Sequence, residues 1–172
     1  SDLALKVLGE ALERDPSERS LNLLISNIHF STSNDLEDAN GHRYLSQSFV
    51  HGDREYYARF VASAVAFARR DFESAFKLVD EIDARAPGDF FPKLSRTERW
   101  LEKQLTSRRG FLKSSFGSYI FIEMRDCPRD IFGPASKTDD DQWDMLNIGA
   151  GVVFDIEYSR RGPVAVNLKK DS

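Results

Sequence analysis

Apolar side chains in the first part of the chain recur at helical spacing and predict several helices. The first apolar run stops at Asp15 and Pro16, because proline has no N–H to donate and disfavours a helical residue before it. A second run begins at Leu21, and the polar residues 31–41 predict a loop or the start of another helix. The members of the first run are Leu3, Ala4, Val7, Leu8, Ala11 and Leu12.

The clearest helical signal is a pair of segments separated by the short turn Arg70-Asp71. Residues 55–69 carry a wide apolar stripe, and residues 72–84 carry a second one that ends before Pro87-Gly88. Two helices joined so tightly predict an αα-hairpin. The spacing of small and apolar residues resembles a tetratricopeptide repeat. The matching positions are Ala62, Ser63 and Ala66 in the first segment and Phe72, Ala75, Val79, Ile82 and Pro87 around the second.

A further helix is predicted over residues 95–105, next to the change of period. Ser95 can cap its start while Glu98, three residues later, reaches back to the Ser95 backbone, as in a capping box. We expect this helix to cover the end of the helical stack, since a terminal repeat must shield the core from water.

From Gly110 onward the apolar pattern changes to a period of two, which predicts strands. Tyr119 and Phe121 alternate with Ile120 and Ile122, so the two aromatic rings are expected on one face and the two isoleucines on the other. Short strands so close together favour a small closed barrel, because closure removes exposed edges. The predicted strands cover residues 111–113, 119–123, 130–132, 152–158 and 164–168.

Composition and charge narrow the possible functions. The chain has 172 residues with 41% apolar residues and 13 Phe, enough for a packed core. Its net charge is −4; residues 108–172 carry 10 basic and 10 acidic side chains, which leaves 14 and 18 in the front part. Any basic face on the barrel must therefore be local. The run Asp139, Asp140, Asp141 and Asp144 is interpreted as a solvated loop.

The sequence contains no clear motif for a disulfide, a phosphate-binding loop, a metal site or a membrane span. The single cysteine, Cys127, cannot form an internal disulfide and fits a reducing compartment, so a cytoplasmic location is predicted. Gly149-Ala150-Gly151 precedes a strand rather than a helix, which argues against a phosphate-binding loop. His29, His42 and His51 lack the spacing of metal ligands. We therefore predict no enzyme activity, no metal and no cofactor. No apolar run has the roughly 20 residues of a membrane span, and no membrane partner is predicted.

The strand motifs, taken in order, resemble those of a cold-shock domain, and this resemblance covers nearly all of residues 108–172. It implies an OB-fold barrel that stacks single-stranded RNA or DNA on aromatic rings, with Tyr119, Phe121 and Phe132 as the stacking residues and Lys113 as a phosphate contact. The matching motifs are Gly110-Phe111-Leu112-Lys113, Ser118-Tyr119-Ile120-Phe121-Ile122, Asp130-Ile131-Phe132, Gly149-Ala150-Gly151-Val152-Val153-Phe154 and Gly162-Pro163-Val164-Ala165-Val166-Asn167.

The predicted fold class is thus α+β with two domains. Residues 1–107 are predicted to form an all-α, helical-hairpin domain that is repeat-like, and residues 108–172 a five-stranded OB-fold barrel. Since the chain starts inside a predicted helix, we expect it to be a piece of a longer protein, in which the helical part positions the barrel.

Two functions stay open at this stage. The first is a non-catalytic accessory module that binds single-stranded nucleic acid on the barrel. The second is a protein-interaction or regulatory module, whose helical part holds a protein partner or the remainder of its own chain and whose barrel face packs on protein. The second gains from three departures from the family pattern: Ser114 in place of tryptophan, Ile120 in place of glycine and Pro134 in place of histidine. Solvent exposure of the three predicted rings would separate the two.

Overall fold

The computed structural model describes residues 2–16 and 18–172; Ser1, which is predicted to lie inside a helix, and Ser17 lie outside the described residues. Within this part of the chain, helices occupy the front and a closed barrel of five strands follows, which confirms the predicted α+β, two-part architecture. The front helices are α1 (Asp2–Arg14), α2 (Arg19–Ser33), α3 (Ala39–Gln47), α4 (Tyr56–Ala68), α5 (Phe72–Arg85) and α6 (Arg99–Gln104).

Local capping explains where several helices begin and end. The polar stretch predicted as a loop or helix start divides: α2 extends to Ser33, and Asp38 caps α3 by accepting a hydrogen bond from the Gly41 N–H at 2.8 Å. The capping box of Ser95 and Glu98 is confirmed. The helix predicted over residues 95–105 is not α-helical throughout, because its first turn is the 3₁₀ helix Arg96–Glu98, which leads directly into α6.

The predicted αα-hairpin is formed by α4 and α5, and Arg70 turns the chain between them with a φ of 65°. Helix α4 lies at the centre of the molecule, with every residue from Ala58 to Ala68 buried. Such a helix has no solvent-facing side and is apolar all round. The exceptions are Arg59, which binds Asp53 and a backbone carbonyl, and Ser63.

The barrel strands follow each other around the wall in the order β1-β2-β3-β5-β4, and β4 pairs with β1 to close it. Every pairing is antiparallel except the one between β3 and β5, which is parallel. This arrangement is compatible with an OB-like barrel. The strands are β1 (Arg108–Ser115), β2 (Tyr119–Glu123), β3 (Ile131–Pro134), β4 (Gly151–Ser159) and β5 (Gly162–Lys170).

The acidic run between β3 and β4 was expected to be a solvated loop and is instead the short helix α7 (Asp140–Trp143). Its aspartates are exposed as expected, but Trp143 and Leu146 pack against the core and hold the turn in place. The helix forms because this apolar side covers the barrel, a reason that the charges alone do not reveal.

A single hydrophobic core runs from the helices into the barrel. At the junction, the Tyr158 ring of β4 packs against Phe60 and Phe67 of α4, with ring centroids 5.8 and 5.9 Å apart. The next turn, between β4 and β5, is tied to the segment after α5: Arg160 donates to the carbonyl oxygen of Ala86 at 3.0 Å. The end of the barrel that carries this turn therefore rests on the helical hairpin.

No helix among the described residues is both long and apolar enough to cross a membrane.

Candidate functional site

Four aromatic side chains meet on the outer wall of the barrel, and we call them the aromatic face: Phe116, Tyr119, Phe121 and Phe132. Antiparallel pairing places Phe121 of β2 opposite Phe132 of β3, with ring centroids 6.0 Å apart. Tyr119 lies 5.9 Å from Phe121 and 5.7 Å from Phe132. Phe116, in the turn between β1 and β2, stacks on Tyr119 at 5.1 Å with 19° between the ring planes.

The aromatic face is open to solvent, which was the observation that the sequence left undecided. Phe116 is 57% exposed and Phe132 39% exposed. Tyr119 and Phe121 are half-buried, largely among their own neighbours in the cluster. The three rings predicted from the sequence thus lie together, on one wall, and none is buried against the helices.

Lys113, the predicted phosphate contact, has an acidic partner. Its Nζ lies 3.0 and 3.2 Å from the two carboxylate oxygens of Asp130. This hydrogen-bonded partner raises the pKa of Lys113 and keeps the ammonium charged. Because both side chains are solvent-exposed, the ion pair is a weak one that a phosphate can compete for.

The three departures from the family pattern have different consequences here. Ile120 points into the barrel and is buried, so it leaves the aromatic face unchanged. Ser114 lies beside Phe121 at a β-bulge in β1 and adds no ring, and Pro134 pairs with Tyr119. Phe116, which sequence reasoning missed, supplies an additional ring at the edge of the face. The signal for it was a large apolar residue within the turn sequence Ser115-Phe116-Gly117-Ser118.

A groove of about 470 Å³ continues the aromatic face towards the helical hairpin. Phe121 and Phe132 form its barrel side, and Phe76 of α5 forms the opposite side. Sequence reasoning did not bring these residues together, since Phe76 belongs to the apolar stripe of a helix. The remaining lining residues are Arg129, Asp130, Ser159, Arg161, Pro163 and Val164.

Two further observations concern the Cys127 thiol and the side chains that could bind a metal. The Cys127 thiol is half-buried, and burial raises its pKa, which disfavours the reactive thiolate. Within residues 2–16 and 18–172, no group of three or more His, Cys, Asp and Glu side chains is placed to hold a metal ion.

The chain matches no protein-family model and no curated protein. The resemblance to a cold-shock domain therefore rests on the ordered motifs, together with a strand order compatible with an OB-like barrel.

Proposed function

We propose that this protein is a non-catalytic module that binds single-stranded RNA or DNA by base stacking on the aromatic face, with the helical part positioning the barrel. The observation that carries the proposal is the cluster of Phe116, Tyr119, Phe121 and Phe132, in mutual contact on an open barrel wall. Contiguous exposed apolar side chains of this kind mark interaction surfaces on proteins.

Stacking suits such a surface because every base has a flat π-face, whatever the sequence. Each stacked base contributes about 1–3 kcal/mol when measured by alanine substitution. The rings of Phe121 and Phe132 are tilted by 57° to each other, so successive bases would have to splay apart to use both. Single strands can do this, whereas the bases of a duplex stay stacked on each other.

The charge distribution favours a binding mode in which the protein contacts only a few phosphates of the strand. The barrel carries equal numbers of basic and acidic side chains, and Lys113 is paired with Asp130. Affinity for single strands falls with salt by a log–log slope of about −0.7 for each phosphate contact. We therefore expect a slope of about −1 to −2, much shallower than that of a strongly basic binder.

The test is fluorescence anisotropy with labelled RNA and DNA oligonucleotides of about 12 nucleotides, within the range of OB-fold sites, at about 50 and about 200 mM salt. Replacing both Tyr119→Ala and Phe132→Ala removes two rings, so the affinity should fall by at least about 30-fold, which corresponds to about 2 kcal/mol. Phe91→Ala is the matched control, because it removes a 78% exposed ring that is not part of the aromatic face.

Two results would refute the proposal: no binding of either oligonucleotide at high micromolar protein, or equal affinity for the double variant and the control. The protein-interaction alternative would then account better for the exposed rings. The pairing of Lys113 with Asp130, which reduces the attraction for phosphate, is the feature that favours this alternative.

A further inference from the structure

We infer that the groove between α5 and the barrel binds one nucleotide of the same single strand, so that the helical hairpin forms part of the nucleic-acid site. This inference rests on the proposed function and adds to it a second contact region with its own residues. Because Phe121 and Phe132 belong both to the aromatic face and to the groove, a strand that leaves the face enters the groove without a gap.

The groove has the size and walls of a small-ligand site. Its volume of about 470 Å³ falls within the usual range of about 300–1,000 Å³ for such pockets. Flat or apolar side chains line it on both sides: Phe76 from α5, Phe121 and Phe132 from the barrel, and Pro163 and Val164 from β5. A planar base can stack on Phe132 at the barrel side, while the α5 side offers the Arg129 guanidinium group that covers the buried Phe76 ring.

Arg129 bridges the two parts of the protein at one wall of the groove. Its guanidinium group donates to both carboxylate oxygens of Asp80 on α5, at 3.0 and 2.7 Å. The same group lies 4.7 Å above the ring centroid of Phe76. The Asp80 hydrogen bonds raise the pKa of Arg129 and lower that of Asp80, so both stay charged and paired. Because α5 and the barrel also share one hydrophobic core, the groove between them exists before a ligand arrives.

One charge at the groove is left without a partner. Arg129 is paired with Asp80, and Asp130 with Lys113. The exposed side chain of Arg161 makes no ion pair or hydrogen bond with any residue in the described part of the chain. Its backbone is fixed in the β4–β5 turn, where the Arg161 N–H donates to the Ser159 hydroxyl oxygen at 3.2 Å.

An unpaired guanidinium group beside an apolar groove favours an anion attached to a flat apolar group, and a nucleotide is such a ligand. The fork of N–H donors of arginine matches two phosphate oxygens at once. Asp130, on the same groove, repels a phosphate placed near it, which leaves the Arg161 end for the phosphate. The base then occupies the part lined by Phe76 and Phe132.

The first experiment reverses the charge at the groove. Arg161→Glu should lower oligonucleotide affinity by about tenfold or more, since it removes a charge-assisted hydrogen bond to phosphate and puts a repelling carboxylate in its place. It should also reduce the magnitude of the salt slope by about 0.7, as expected for the loss of one phosphate contact on a single strand. Arg54→Glu makes the same charge change at an exposed position before α4 and should alter neither quantity by a comparable amount.

The second experiment tests directly whether the oligonucleotide lies in the groove. In a Cys127→Ala background, Val164→Cys places the single thiol of the chain in the groove, and Ser46→Cys places it on the exposed surface of α3. A saturating oligonucleotide should slow maleimide alkylation of the Val164→Cys protein and leave that of the Ser46→Cys protein unchanged. Circular dichroism of each variant checks that it is folded before the rates are compared.

The outcomes separate this inference from the proposed function. Suppose that the wild-type chain binds and the Tyr119→Ala, Phe132→Ala variant does not. If Arg161→Glu then behaves like Arg54→Glu, and the oligonucleotide does not slow alkylation of Val164→Cys, the groove inference is overturned and stacking on the aromatic face stands. If the wild-type chain binds no oligonucleotide, the proposed function fails and the inference fails with it.

Discussion

A buried pair of hydroxyl groups at the junction of helices and barrel allows a prediction in which the direction of each hydrogen bond matters. Ser63 Oγ lies 2.5 Å from the Tyr158 hydroxyl and 2.8 Å from the carbonyl oxygen of Ala75. A carbonyl can only accept, so the one proton of Ser63 goes to Ala75. Tyr158 must then donate to Ser63.

This assignment makes the two partners unequal. Tyr158→Phe removes a donor, while Ser63 keeps its bond to Ala75, so the loss should be that of one ordinary hydrogen bond, about 1 kcal/mol. Ser63→Ala strands the phenolic O–H of Tyr158 in the core, next to Phe60 and Phe67, which should cost about 2–3 kcal/mol. In the double variant no donor is left without an acceptor, so it should be no less stable than Ser63→Ala alone.

Equilibrium unfolding in urea measures these free energies. Trp100 on α6 and Trp143 on α7 report on the helical part and on the barrel by fluorescence, and circular dichroism follows the helices. Ser46→Ala is the control: its hydroxyl donates to a carbonyl on the exposed side of α3, and the change should stay within about 0.5 kcal/mol. The reasoning is wrong if Tyr158→Phe lowers the free energy of unfolding more than Ser63→Ala does. It is also wrong if the loss in the double variant equals the sum of the losses in the two single variants.

Two more predictions concern the same junction. Burial raises the pKa of Tyr158 in the folded chain above about 10, the ordinary value that it keeps in the unfolded chain. Between the unfolded-state pKa and the folded-state pKa, only the unfolded chain loses the proton. The free energy of unfolding should therefore be intact below about pH 10 and should fall above it by up to about 1.4 kcal/mol per pH unit. Urea curves at alkaline pH should show a smaller fall for Tyr158→Phe, and equal slopes would contradict the assignment. Gly162 has a φ of 96°, and a Cβ there would lie 3.3 Å from Val79 Cγ2, so Gly162→Ala should destabilise the chain by about 1–3 kcal/mol. Gly9→Ala, in open space on α1, is the matched control and should raise the free energy of unfolding by about 0.5–1 kcal/mol in the same urea curves. If both substitutions changed the free energy of unfolding in the same direction, this would argue against the strain at Gly162.

Much of the local structure could be predicted because it depends on neighbours in sequence. The strand predicted over residues 119–123 is β2 as observed, and Tyr119 and Phe121 share its outer side as the alternation required. The hairpin α4–α5 and the capping box at Ser95 follow from spacing and from hydrogen-bonding groups a few residues apart. The predicted cluster of Tyr119, Phe121 and Phe132 depended in addition on the motif order, which suggested the barrel.

Where prediction failed, the missing information was tertiary. The turn of α7 forms because Trp143 packs on the core, while its aspartates alone indicated a loop. Phe116 was overlooked because a turn residue belongs to no strand face, yet its ring completes the aromatic cluster. Lys113 stays the predicted phosphate contact, but its ion pair with Asp130, 3.0 Å away, was also visible only in the tertiary structure.

The sequence by itself thus determined most of the helical and extended segments and which side chains of a strand share a face, since both follow from periodicity along the backbone. Only the tertiary structure decided that the β4–β5 end of the barrel, and not the wall of aromatic rings, meets the helices. It also decided that Phe76 of α5 and Phe132 line one groove, beside which Arg129 and Asp80 bridge the barrel and α5. Alternation defines two sides of a strand but carries no information on which side water covers, because that depends on residues far away in the chain.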